Sequence, residues 1–267
     1  MKKHLSFALC LFLLLGCKVN QYTGKKTINF YGNKTVFPMA FQAYADFLKK
    51  NPPITNTEGS RKIQRIGERI TAAAEAYFQH KNNPSYLKDY AWEYNLVNNS
   101  ARNAWCMTGG KIVFYSGILP IAKTEDGIAA IMGHEVAHAL ANHGAQRMSA
   151  TTLKTGLDIL VQKSTEKKAE NKRNKLLAAY GIGSQVGILL PFSRSHESEA
   201  DRIGLELMVI AGFDPQEAVG VWERMQAASQ GKSPPELLST HPSNARRIQE
   251  IKAHIPQAKA LAKEILK

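Results

Sequence analysis

The chain has too few cysteines to stabilise its fold with a disulfide. It contains three among 267 residues, of which one lies within an N-terminal apolar segment and another just after it. If Cys10 leaves with that segment and Cys17 carries lipid, only Cys106 remains in the folded part. One thiol cannot form an intrachain disulfide, so the domain must be stable without one. We interpret Cys106 as a small apolar residue of a strand.

No second long apolar run follows the N-terminal segment. Residues 176–190 are the best candidate, but they contain three glycines and are fewer than the roughly 20 residues that a spanning helix needs. We therefore predict a packed helix there and no transmembrane helix.

Acidic residues are scarce relative to basic ones. The chain has 35 Lys and Arg against 22 Asp and Glu, a formal charge of +13. This balance favours contact with anionic lipid surfaces or acidic partners. No nucleic-acid-binding motif accompanies the charge, so we predict a solvated basic surface and no nucleic-acid partner.

The N-terminus has the pattern of an export signal. Lys2 and Lys3 precede an apolar run from Leu5 to Leu15, which is too short to span a bilayer. The run ends Leu14-Leu15-Gly16-Cys17, which resembles a bacterial lipobox. We predict a signal peptide at residues 1–16 and lipidation of Cys17; the alternative is an ordinary signal peptide with a chance cysteine. Lys18 is not the aspartate that retains lipoproteins in the inner membrane of some bacteria, which favours the outer membrane, facing the periplasm.

The most informative motif is His134-Glu135-Val136-Ala137-His138, inside an apolar run from Ile128 to Ala141. In a helix the two histidines lie one turn apart on one face, where both can bind one zinc ion at about 2.0–2.1 Å. Glu135 can reach a water beside the metal without binding the metal itself. The alternative is a pair of hydrogen-bonded core histidines. We favour zinc, because burying two histidines and a carboxylate without partners is costly.

A catalytic zinc usually has three protein ligands, so a third must come from elsewhere in the chain. The extended pattern with a glycine at 141 and a histidine at 144 fails, since these positions hold Ala141 and Gly144. Glu197 and Asp201 are four residues apart on a later helix. Glu197 could bind zinc while Asp201 accepts the free ring N–H of a histidine ligand. The alternative is an exposed acidic helix start, which the helix dipole also favours.

The remaining chain reads as a mainly helical α+β fold. We predict helices at 38–50, 60–80, 145–162 and 191–211, and a last helix from 242 that breaks near Pro256. We predict a polar loop at 163–175. Strand-like segments at 90–97, 101–107 and 111–115 indicate a small antiparallel sheet beside the His134 helix. The predicted organisation is a lipidated tether with a short helix at 17–55, a zinc-binding domain at 56–256 and a C-terminal tail at 257–267.

Three segments together resemble one family. They are the His134 motif, Ser193-Arg194-Ser195-His196-Glu197-Ser198-Glu199-Ala200-Asp201 and Ser239-Thr240-His241-Pro242. The pattern is similar to the gluzincin metallopeptidases that include CAAX-prenyl proteases, HtpX, Oma, BepA and LoiP, and most similar to the short periplasmic lipoprotein members.

The resemblance implies a zincin-type fold and specific residue roles. Glu197 falls on the third zinc ligand, and His241 on a histidine near the metal that either contacts the transition state or closes the fourth position. Arg247 falls on an arginine implicated in oxyanion or substrate binding. Asn103, Ala104 and Trp105 fall on the edge strand beside which an extended substrate would lie.

The resulting hypothesis is a zinc endopeptidase of the bacterial envelope with one Zn²⁺ per chain. Its expected substrates are misfolded or stalled exported proteins, and its expected contact with the membrane is the lipid anchor. Two alternatives remain open. One is a zinc-holding chaperone or adaptor whose site His241 closes, and the other is a metal-free lipoprotein that acts as a binding module.

Overall fold

The computed structural model describes residues 17–166, 168–184, 190–229, 237–241 and 245–267. The predicted signal peptide, residues 1–16, lies outside this part of the chain. In chain order the elements are β1 (Cys17–Val19), β2 (Lys26–Ile28), α1 (Asn33–Lys50), α2 (Glu58–His80), β3 (Glu93–Val97), β4 (Ala104–Met107), β5 (Lys111–Tyr115), α3 (Leu119–Ala122), α4 (Glu125–Leu140), α5 (His143–Thr165), α6 (Glu170–Ser184), α7 (Leu190–Ile210), α8 (Gln216–Ser229), α9 (Leu237–Thr240) and α10 (Ala245–Ile265). The predicted class, mainly helical α+β, is confirmed. None of the described helices has the length and apolar composition needed to cross a bilayer.

The described residues divide into two compact units. The first takes in the described part of Met1–Gly32 and Asn142–His196, and the second takes in that of Asn33–Ala141 and Glu197–Lys267.

The first unit begins with a β-hairpin where we predicted only a polar tether. β1 and β2 pair antiparallel, with Cys17 opposite Ile28. The turn between them forms because the Asn20 side-chain oxygen accepts from the backbone N–H groups of Tyr22 and Thr23 at 2.9 and 3.1 Å. This local side-chain-to-backbone turn gives residues 17–28 a hairpin that their polar composition did not indicate.

Two long helices complete the first unit. The chain after β2 contacts α5, where Phe30 N–H donates to Ser149 Oγ at 2.9 Å and the Tyr31 hydroxyl lies 2.8 Å from that of Thr152. α5 packs against α6, and the pair forms a helical hairpin. The polar loop predicted at 163–175 is mostly helix, because α5 runs to Thr165 and α6 starts at Glu170.

The second unit contains a three-stranded sheet in the order β3-β5-β4. β4 and β5 form the expected antiparallel hairpin, but β3 pairs parallel to β5, so the antiparallel prediction is wrong for β3. All five residues of β5 are buried, which accounts for its central position between the other two strands. Gly109 and Gly110, with φ of +87° and +93°, allow the tight β4–β5 turn. Cys106 lies in β4 as predicted.

The last helix, α10, is continuous across Pro256. The predicted break is wrong because buried residues on both sides of the proline hold the helix in place, namely Ile255, Ala258 and Ala262. Residues 257–265 are thus helical, whereas we expected a fraying tail.

Candidate metal centre

The centre is built first on α4, which is buried over nearly its whole length. Thr124 caps the start of the helix, where its side chain accepts the backbone N–H of Gly127 at 3.0 Å. From Gly127 to Leu140 every residue is buried. His134 and His138 project from one face, and their Nε2 atoms lie 3.1 Å apart. Two imidazole nitrogens that face each other at this distance in a dry site need a cation or a proton between them.

A second helix, α7, crosses α4 at unusually close range. A Cβ at Gly133 would lie 2.7 Å from the Gly204 carbonyl oxygen, and a Cβ at Gly204 would lie 2.7 Å from the His134 backbone nitrogen. The backbones can approach this closely only because both residues are glycine. The crossing brings Glu197 and Asp201, which lie about two turns and one turn before Gly204, to the histidine face.

Glu197 and Asp201 contact opposite sides of the His134 ring. Glu197 Oε2 lies 3.3 Å from His134 Nε2, and Glu197 Oε1 lies 3.5 Å from His138 Nε2. Asp201 Oδ1 lies 3.0 Å from His134 Nδ1. Asp201 therefore fixes the ring so that Nε2 faces Glu197, as expected for an orienting carboxylate.

Arg247, from α10, holds the two carboxylates in place. Its Nε and Nη2 donate to Asp201 at 2.7 and 2.8 Å, and its Nη1 lies 3.2 Å from Glu197. The guanidinium carbon also lies 4.4 Å from the centre of the Trp222 ring, which itself lies 5.3 Å from that of His134. Arg247 is 4% exposed, so this network is shielded from water.

The pKa values reflect this arrangement. Burial acts to lower the pKa of His134, but hydrogen bonds and charges from Asp201 and Glu197 outweigh it and raise that pKa to about 9. Burial acts to raise the pKa of the Glu197 and Asp201 carboxyls. The His134 and His241 rings nevertheless hold the pKa of Glu197 well below its ordinary value, and Arg247 with His134 lowers that of Asp201. Both carboxylates thus stay ionised at neutral pH.

His241 completes the group as a fourth donor. Its Nδ1 lies 3.0 and 3.1 Å from the two Glu197 oxygens and 3.2 Å from His134 Nε2. A backbone bond from Leu237 N–H to the Arg102 carbonyl at 3.1 Å ties its segment to the residues before β4. His241 Nε2 lies 3.6 Å from Glu135 Oε1, so one ring links the donor group to the predicted catalytic base.

These four residues have the composition and spacing of a zinc site. Their donor atoms all lie within 4.8 Å of one another, and all four residues are buried. Donors placed tetrahedrally around zinc are roughly 3.3 Å apart, close to the distances above. Zinc would replace the proton of His134, and the ionised carboxylates of Glu135, Glu197 and Asp201 with the Arg247 guanidinium would then leave two negative charges for the divalent cation to balance. The group that could hold one zinc ion is thus His134, His138, Glu197 and His241.

Sequence comparison assigns the chain to a known group. Residues 58–255 match Peptidase family M48. The chain belongs to this family. The match includes all four metal donors together with Glu135, Asp201 and Arg247.

Several M48 relatives are similar over most of this chain. Mitochondrial metalloendopeptidase OMA1 of Saccharomyces cerevisiae is 36% identical over 85% of the chain and 63% of its own length. Its counterpart in Schizosaccharomyces pombe is 39% identical over 65% of the chain and 50% of its own length. The beta-barrel assembly-enhancing protease of Escherichia coli is 29% identical over 64% of the chain and 36% of its own length. The chain thus spans from about a third to under two thirds of these relatives.

In this M48 chain, the predicted substrate strand lies at the edge of the sheet. Ala104 and Trp105 belong to β4, and Asn103 directly precedes it. No described strand pairs with the outer edge of β4. β4 also packs against α4, the helix that carries the histidines. Trp105 packs against Phe47, with ring centres 4.9 Å apart.

Two features of the M48 site were not predicted from the sequence. Trp222 lies in an amphipathic helix in which an aromatic residue gives no signal beyond core packing. The Gly133–Gly204 contact joins residues about seventy positions apart, so no local pattern marks it.

Because α4 and α7 cross so closely, adding one methyl group at the crossing should strongly lower the stability of the protein. Gly204→Ala should destabilise the protein by about 1–3 kcal/mol, because the added carbon overlaps the α4 backbone. Gly156→Ala is the matched control, since a Cβ there meets no atom within 4 Å. The control should stabilise the helix by about 0.5–1 kcal/mol. Urea unfolding of both variants measures this, and equal stabilities would contradict the packing account.

Alanine substitutions at Arg247 and at its neighbour Arg246 form a second test variant with a matched control. Arg247→Ala should cost about 3–5 kcal/mol, because it leaves Asp201 and Glu197 buried without their cation. The Arg246 side chain is 84% exposed and, among the described residues, pairs only with Glu250, so Arg246→Ala should change stability by less than about 1 kcal/mol. Chemical unfolding midpoints of the two variants provide the measurement. An Arg247 variant as stable as the Arg246 variant would refute the proposed support of the carboxylates.

Proposed function

We propose that this chain is a zinc-dependent endopeptidase. One observation carries the proposal: donor atoms of His134 and His138 on α4 and of Glu197 on α7 lie close enough together for one cation to bind them all, and the carboxylate of Glu135 lies beside this group. Three ligands and an adjacent acid–base group form the constellation that metal-assisted peptide hydrolysis requires. Membership of a peptidase family supports the same conclusion.

Each residue of the centre has a role in this proposal. His134, His138 and Glu197 would hold the ion. Bound zinc would supply Lewis acidity, which lowers the pKa of water toward about 7 and polarises the peptide carbonyl. Glu135 would accept the proton of the attacking water and deliver it to the leaving amine. Asp201 would keep the His134 ring oriented.

Arg247 would act as a positioning residue. We expected it to contact the oxyanion or the substrate, but carboxylates engage its Nε, Nη1 and Nη2 atoms. A guanidinium held in this way supports Asp201 and Glu197. The oxyanion contact would then fall to His241, whose Nε2 lies close to Glu135.

The substrate would be an extended polypeptide. The outer edge of β4 could accept a further strand through backbone hydrogen bonds, and this mode selects unfolded segments over particular side chains. Asn103, Ala104 and Trp105 would contact it. The pairing of β4 with β5 leaves its other edge toward the incoming chain, which supports this placement.

The cellular role we propose is quality control of misfolded or stalled proteins in the bacterial envelope. The N-terminal signal pattern and Cys17 support a lipid-anchored protein, at the outer membrane facing the periplasm. The proposal concerns this chain alone, since its relatives include both mitochondrial and bacterial proteases. The proposed organisation remains a tether to residue 55, a peptidase domain at 56–256 and a C-terminal segment at 257–267.

A second candidate is a zinc-holding chaperone or adaptor with little turnover. The observation that favours it is the position of His241 Nδ1, which occupies the place of a fourth ligand. A site closed by four protein ligands is typical of structural zinc, whereas a catalytic zinc keeps one position open.

Casein digestion by the wild type and by His241→Ala separates the two candidates. An endopeptidase whose His241 stabilises the transition state should digest casein, lose activity on chelation, and become on the order of a hundredfold slower in the variant. A self-closed adaptor should be inactive as wild type and gain activity in the variant. His80→Ala, at the exposed end of α2, is the control and should leave activity unchanged. Zinc-loaded protein that stays inactive in both forms would refute the endopeptidase.

A further inference from the structure

The helical hairpin of α5 and α6 exposes apolar side chains where it turns. We call residues 156–175 the hairpin tip; residue 167 lies outside the described part of the chain. Ile159 and Leu160 in the tip are 56% and 46% exposed, and Leu176 immediately after it is 40% exposed. These are three of the six large apolar side chains that are exposed among the described residues. Half of these side chains thus lie between residues 159 and 176, which makes this region a candidate docking surface.

The apolar residues do not serve the contact between the two helices. Leu157 and Val161 are partly buried one turn apart, as expected for the face of α5 that meets α6. The helical period places Ile159 on the opposite face, and Lys163 follows Ile159 by one turn on that same face. The outward face therefore combines apolar and cationic side chains.

The charge of the tip is strongly positive. Residues 163–175 contain six basic residues, Lys163, Lys167, Lys168, Lys172, Arg173 and Lys175, against Glu166 and Glu170. The nearest other acid, Asp158, is paired with Lys154 at 2.8 Å. Lys163, Lys168, Lys172 and Lys175 are exposed. This combination of exposed apolar side chains and surrounding lysines matches the chemistry of a bilayer interface that contains anionic lipid.

We infer that the hairpin tip docks on an anionic lipid bilayer, with Ile159, Leu160 and Leu176 entering the interface and the surrounding lysines contacting phosphate groups. The segment at residues 17–32, called the N-terminal arm, favours a bilayer over an acidic protein as the partner. Phe30 and Tyr31 hold the arm on α5, in the same unit, and Lys163 lies about 16 Å along the helix from the Tyr31 contact at Thr152. A chain anchored by lipid at Cys17 would therefore carry the hairpin near the membrane surface.

A fluorescent probe at the tip tests the inference locally. The full chain would carry Cys10→Ser, Cys17→Ser and Cys106→Ala, so that it is unlipidated and a polarity-sensitive dye attaches only at Ile159→Cys. Vesicles of phosphatidylcholine, with or without phosphatidylglycerol, would be added. The matched control is Met39→Cys in the same background, because Met39 is equally exposed at 56% but belongs to the second unit.

The expected result is a blue shift of the tip probe with the anionic vesicles only, and no shift of the control probe. Lys168→Glu, Lys172→Glu and Lys175→Glu together should raise the lipid concentration for half-maximal shift by at least about tenfold. In the labelled protein without these three substitutions, raising the salt concentration should weaken the blue shift. This measurement tests the contribution of the lysine charges without altering the fold. Three results would overturn the inference: no shift, an equal shift with neutral vesicles, or an equal shift with soluble polyglutamate, which would indicate an acidic protein partner.

Discussion

Replacing Glu135 with glutamine is expected to lower kcat for casein cleavage by about 10²–10⁴-fold while leaving the zinc content unchanged. The amide has nearly the shape of the carboxylate but cannot accept a proton from water. Glu135 is 2% exposed and is not among the four grouped metal donors, so metal binding should not depend on its charge. Steady-state kinetics and metal analysis of the same preparation provide the two readouts.

Glu125→Gln is the matched control for this experiment. Glu125 lies at the start of the same helix and pairs with Arg65 at the surface, so its substitution should leave cleavage near the wild-type rate. A Glu135→Gln protein that holds zinc and still digests casein at the wild-type rate would eliminate the proposed proton transfer.

Replacing Glu197 with glutamine is expected to weaken zinc binding by more than about a hundredfold, and activity should fall with the lost metal. Substitution of groups that only orient a ligand already costs roughly 10–100-fold, and Glu197 is a proposed ligand itself. Its charge also balances the cation, and its oxygens lie within 3.5 Å of donor nitrogens on all three histidines. Competition with a chromophoric chelator measures the affinity.

Glu199→Gln is the control, because Glu199 is also buried in α7 but does not belong to the donor group. It should bind zinc within a few-fold of the wild type. Equal zinc affinities for the two variants would place the third ligand elsewhere and would contradict the ligand set proposed here.

The residues of the metal centre could be predicted from the sequence where their spacing within one helix marks a shared face. His134 and His138 follow the helical period, and Glu197 and Asp201 repeat that spacing on a second helix. Local spacing indicates which side chains share a face, and the resemblance to a family indicates that the two faces meet. The Gly133–Gly204 contact, which makes the meeting possible, could not be predicted, because it joins residues that only the tertiary fold brings together.

Prediction failed where a local signal competed with packing. Pro256 normally ends a helix, but the buried residues on either side keep α10 continuous. The sequence indicates the three strand-like segments but not their order or directions, because the pairing of β3 with β5 joins strands that only the tertiary fold brings side by side. The position of Arg247 likewise follows from how α10 packs, and not from its place in the sequence.

The account rests on one cation held by two imidazoles and a carboxylate, and X-ray anomalous scattering tests it most directly. Crystals of zinc-loaded protein, measured on both sides of the zinc absorption edge, should show one peak per chain. The peak should lie about 2.0–2.2 Å from Nε2 of His134, Nε2 of His138 and a carboxylate oxygen of Glu197. The absence of a peak at these residues, or a peak held by a different set of side chains, would contradict the account.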